Sequence, residues 1–80
     1  MMTVDQAKER FNKEYPGKDI KVVAAFDNNT YLFIAMDKGN EEEVGDPNYL
    51  INKNTGQITQ FNPMDNFEKF NSALQKRRLT

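Results

Sequence analysis

Four carboxylates crowd into one short stretch of this chain: Glu41, Glu42, Glu43 and Asp46. Such a run could hold a hard cation or meet basic groups on a partner. The cation chemistry fails on spacing. A calcium loop of the EF-hand type needs oxygen ligands at alternate positions and Gly at the sixth. Counted from Asp37, the third residue is Gly39, the fifth Glu41 and the sixth Glu42. Two readings remain: a solvated loop that keeps a small domain soluble, or an acidic patch that binds a basic protein surface. A second charged group, Lys76-Arg77-Arg78, has the type to meet phosphate. At a helix end it also matches the carbonyl pole of the dipole and a mobile tail. Asn28-Asn29-Thr30 has the form of a glycan acceptor, and turn chemistry explains it equally well.

The absent residue types exclude more than the present ones suggest. There is no His and no Cys. The usual zinc ligands, disulfides and the Ser–His–Asp and Cys–His nucleophile systems are therefore missing. Carboxylate or Lys chemistry is all that is left to an enzyme, so a non-catalytic protein without metal or cofactor is expected. The Gly residues do not gather into a phosphate-cradling loop. Eleven Lys and Arg stand against twelve Asp and Glu, so the basic excess of a nucleic-acid binder is lacking. The longest apolar run, Tyr31 to Met36, is too short to span a bilayer. The first residues, "MMTVDQAKERF", carry no apolar signal region. The expected location is the cytoplasm, with no membrane contact.

The elements that carry these groups can be read from periodicity. Thr3-Val4-Asp5-Gln6 has the form of a capping box. Val4, Ala7, Phe11 and Tyr15 follow at steps of three and four, so a helix is expected over about 3–15, ended by Pro16-Gly17. Ile20, Val22, Ala24 and Phe26 alternate with Lys21, Val23, Ala25 and Asp27, which predicts a strand with the first set on the core face. Asp27 to Thr30 is a turn, and the apolar run 31–36 is a second, central strand. "DKGNEEEVGDP" (37–47) is a long polar connection. Strands at 49–52 and 57–61 flank Lys53-Asn54-Thr55-Gly56, where Gly56 supplies the positive φ of a hairpin turn. Asn62-Pro63-Met64-Asp65 starts a last helix, about 63–77, whose Phe67, Phe70 and Leu74 share a face.

Eighty residues make one small domain, 1–80, with residues 1–2 and 78–80 expected as frayed ends. The fold class is α+β, in the order α-β-β-β-β-α, an antiparallel sheet with both helices packed on one face. The six Phe and three Tyr are needed as core in a chain this short, rather than as an exposed stacking platform.

A helix ending in "YPG", a Gly- and acid-rich connection and then "GDPNYLINKNTGQI" resembles the small bacterial YrhB-like proteins, an immunity-protein-type family. Gly45, Pro47, Tyr49, Leu50, Ile51, Lys53, Thr55, Gly56 and Ile58 match the family pattern, and Asn52 and Gln57 are amides where it has acids. The hairpin is also similar to the end of PepSY-type domains. The resemblance implies an immunity-like inhibitor that occludes a partner protein. Glu41, Glu42, Glu43 and Asp46 would meet its basic residues, and Tyr49, if exposed, would be the aromatic anchor. The alternative is a phage or mobile-element accessory protein that assembles through a sheet edge or by self-association.

Overall fold

The computed structural model describes residues 1–37 and 48–79. Thr3 opens the first helix as its type predicts. Its Oγ1 accepts from the Gln6 N–H at 3.2 Å, and the Gln6 side chain accepts from the Thr3 N–H at 2.9 Å. Two otherwise orphaned donors are satisfied at once. Helix α1 (Val4–Glu14) then buries Ala7 and Phe11 completely.

Four strands come next: β1 (Lys18–Asp27), β2 (Thr30–Asp37), β3 (Asn48–Asn52) and β4 (Ile58–Gln60). They form one antiparallel sheet in the order β1-β2-β3-β4. A 3-10 turn (Pro63–Asp65) and helix α2 (Phe67–Lys76) complete the chain order. The expected α+β class and element order are present.

The helices do not share a face. Tyr31, Phe33 and Ala35 of β2 pack with Val23, Tyr49 and Ile51 beneath Ala7 and Phe11 of α1. Leu32 points the other way and joins Ala24, Phe26 and Phe61 beneath Ala73 of α2. The cause lies in β2. Successive side chains of a strand leave on opposite sides, so an uninterrupted apolar run puts apolar surface on both. Each side needs a cover, and one helix serves each.

β1 departs from strict alternation for a related reason. Its pairing with β2 shifts register between Ile20 and Val22 and again between Ala25 and Asp27. An extra residue at a bulge reverses the facing of the residues beyond it. Ile20 and Val23 therefore both pack on the α1 side, while Ala24 and Phe26 pack beneath α2. The expected single core face of Ile20, Val22, Ala24 and Phe26 is split between two cores.

The last helix is also interrupted. Asn62 Oδ1 accepts from the Met64 N–H at 3.0 Å and caps the 3-10 turn. Asn66, with non-helical dihedrals, then caps α2 by accepting from the Lys69 N–H at 3.4 Å. Two Asn four residues apart give two starts where one continuous helix was expected.

Met2 and the segment after α2 are tied to the sheet. The Met2 N–H donates to the Lys53 carbonyl at 2.8 Å, and the Met2 carbonyl accepts from the Tyr31 hydroxyl at 3.0 Å. At the other end the Leu79 N–H donates to the Val23 carbonyl at 2.8 Å, and the Ala25 N–H to the Arg77 carbonyl at 2.9 Å. Arg78 thereby faces Ala24 in an antiparallel bridge. An edge strand offers a row of unmet backbone groups, and the segment after α2 fills part of that row on β1.

The hairpin between β3 and β4 turns as expected. Gly56 has φ 75°, and its N–H donates to the Asn52 carbonyl at 2.8 Å. Asn52 Oδ1 accepts from the N–H groups of Asn54 and Thr55. A Cβ at Gly56 would lie 3.2 Å from Met2 Cε and 3.5 Å from Arg10 Nε. Gly56→Val is therefore expected to cost about 1–2 kcal/mol, mainly from the left-handed backbone, read as a lower urea midpoint with an unchanged slope.

Candidate functional site

Glu41, Glu42, Glu43 and Asp46 lie outside the described residues. Their chain neighbours are firmly held. Asp37, which ends β2, pairs with Lys18 at 3.0 Å. Asn48, which opens β3, stands opposite Ile34 and is 7% exposed. Its carbonyl accepts from the Phe61 N–H at 2.9 Å. The acidic stretch thus runs between adjacent strands, and the segment leading into α2 departs beside the point where β3 begins.

Tyr49 is not an exposed anchor. It is 2% exposed, its ring lies 5.1 Å edge-on from Phe11, and the Tyr15 ring lies 5.2 Å away, tilted at 45°. Its facing in β3 matches that of Ile51 and sends it beneath α1. The aromatic–aliphatic–aliphatic pattern that marks this stretch is a core pattern, which is why Tyr49 is buried.

The exposed apolar side chains are elsewhere. Met64 is 80% and Phe67 56% exposed. Phe67 was expected to share the core face of Phe70 and Leu74. As the first residue after the Asn66 break it takes no part in the second core, while Phe70 and Leu74 do. The continuous period hid this, and the second Asn was the available signal.

A polar corner ties α2 to the β1–β2 turn. Asp27 accepts from the Asn29 N–H at 2.8 Å and from Lys69 Nζ at 3.2 Å. Lys69 Nζ also lies 4.7 Å from the centroid of the Phe26 ring. Partial burial pushes the Asp27 carboxyl up, but the Asn29 N–H, Lys69 and the Thr30 side chain together outweigh it and hold it below its usual value. The pair is substantially exposed, so it fixes geometry more than it adds stability. Asp27 to Asn29 is turn architecture, as its residue types suggest.

The basic group splits in the same way. Lys76 ends α2, while the Arg77 carbonyl accepts from β1 and Arg78 stands opposite Ala24 in the bridge. Among the described residues no group of three or more acidic, His or Cys side chains converges to hold a metal ion. No helix among them is long and apolar enough to cross a membrane.

The class these features define is a four-stranded antiparallel meander carrying one helix on each face. No family model, curated protein or solved structure matches the chain.

Proposed function

We propose that the chain is a non-catalytic protein-binding module of the immunity-like type, which acts in the cytoplasm by occluding a partner protein. The observation that carries this reading is the relation of the acidic run to the frame. Glu41, Glu42, Glu43 and Asp46 lie in chain between Asp37 and Asn48, and the exposed Met64 and Phe67 come shortly after Phe61, which is bonded to Asn48. An acidic run together with exposed apolar side chains suits a partner whose surface is basic with an apolar centre. Six of the nine aromatics are buried in the two cores, so the anchoring contact falls to Phe67 and Met64 rather than Tyr49. The resemblance of the hairpin to immunity-type proteins supports the same reading.

The test is capture of the partner from a host extract on the immobilised chain, followed by kinetics. Replacing Glu41, Glu42 and Glu43 together by Ala is expected to slow association about tenfold at low salt and to flatten its salt dependence, with dissociation little changed. An unaltered rate and salt slope would remove the acidic run from the interface.

A further inference from the structure

The two edges of the sheet are unlike. The β1 edge carries Lys18, Asp19, Lys21 and Asp27 and is paired in part by residues 77–79. Charge and cover are the ordinary guards of a strand edge. The β4 edge, Gln57-Ile58-Thr59-Gln60, has neither charge nor Pro, and among the described residues no strand lies beyond it.

The phase of its backbone is fixed by the pairing with β3. The Asn52 N–H donates to the Gln57 carbonyl at 3.0 Å, and the Phe61 N–H donates to the Asn48 carbonyl at 2.9 Å. Residues along an antiparallel strand alternate between those that bond inward and those that bond outward. With Gln57, Thr59 and Phe61 bonded toward β3, the N–H and C=O groups of Ile58 and Gln60 point away from the sheet. Thr59 lies between them, exposed, on the face that also carries its partner Leu50.

We propose that β4 pairs antiparallel with β4 of a second copy of this chain, about a two-fold axis that passes beside Thr59. In this register Ile58 of each copy exchanges N–H···O=C bonds with Gln60 of the other, and the outward groups on each side are the complement of those they meet. The two Thr59 side chains stand opposite one another, a favourable cross-strand pair. A formal net charge of −1 per chain opposes association little. A symmetric contact of this kind closes on itself, and the occupied β1 edge keeps the paired sheet from growing at its far ends. The contact is short, so the dimer is weak and fills only at high concentration, as expected at the small, transient end of interface sizes. It does not draw on the acidic run and stands apart from the occlusion reading.

Sedimentation over a concentration series tests it. The unaltered chain is expected to pass from monomer to dimer, with the Ile58 and Gln60 amides gaining hydrogen-exchange protection as the dimer fills. Thr59→Lys and Thr59→Glu each set like charges face to face at the axis and are expected to weaken the dimer at least tenfold. An equimolar mixture of the two variants is expected to restore it as a mixed pair, a result that a merely misfolded variant could not give. A chain that remains monomeric at about 1 mM (a concentration at which even a contact of about 4 kcal/mol fills substantially) would overturn the proposal. So would a dimer indifferent to both charges, or variants whose mixture fails to associate.

Discussion

Tyr49→Ala is expected to destabilise the protein by about 3–5 kcal/mol, the cost of removing a large aromatic side chain from a closed core. The whole stability of a chain this size is about 4–12 kcal/mol, so much of the variant is expected to be unfolded. The ring fills the space between Phe11, Tyr15 and the sheet. Tyr49→Phe keeps the volume and is expected to stay within about 1.5 kcal/mol of the unaltered chain. Urea titration followed by circular dichroism separates the two. Were Tyr49 a surface anchor, the Ala variant would keep its midpoint and lose only partner affinity.

Phe61→Ala is expected to cost about 3 kcal/mol or more on the opposite side of the sheet. Phe61 is 9% exposed and its ring meets Phe26 edge-on at 5.0 Å and Phe70 at 6.1 Å. It is the residue that brings the chain from β4 over the second face, ahead of α2. The loss is expected to be uneven: amides of α2 exchange faster than in the unaltered chain under native conditions, while those of α1 keep more of their protection. Equal loosening of both helices would contradict the two-sided arrangement, since a common core would release them together.

Local chemistry was the legible part of this fold. Thr3 and Gln6 form their reciprocal cap, Gly56 takes the positive φ its turn requires, and the element order matches the pattern of apolar spacing. The features that were missed depend on residues distant in sequence. The bulges in β1 arise only in pairing with β2, so a period of two could not reveal that Ile20 and Ala24 serve different cores. The sides of the helices have their signal in a single strand. Tyr31 to Met36 has no polar position, and such a strand must be covered twice. Tyr49 opens an aromatic–aliphatic–aliphatic run on a strand, and the structure gives it a core position rather than an exposed one. The pairing of residues 77–79 with β1 left no mark in composition at all, because backbone groups make it.

That last pairing has a consequence in time. A chain is synthesised from its N-terminal side, and folding can begin before it is complete. α1 and all four strands come early enough to close the first core. The second face has to wait for Phe61, Phe70 and Ala73, and the β1 edge waits for Arg77 to Leu79, which come after every other described element. Until then a nascent chain carries an apolar sheet face and an unfilled edge side by side, guarded by the β1 charges of Lys18, Asp19, Lys21 and Asp27. The guard residues on β1 therefore matter most during biosynthesis, before the segment that later covers the edge exists.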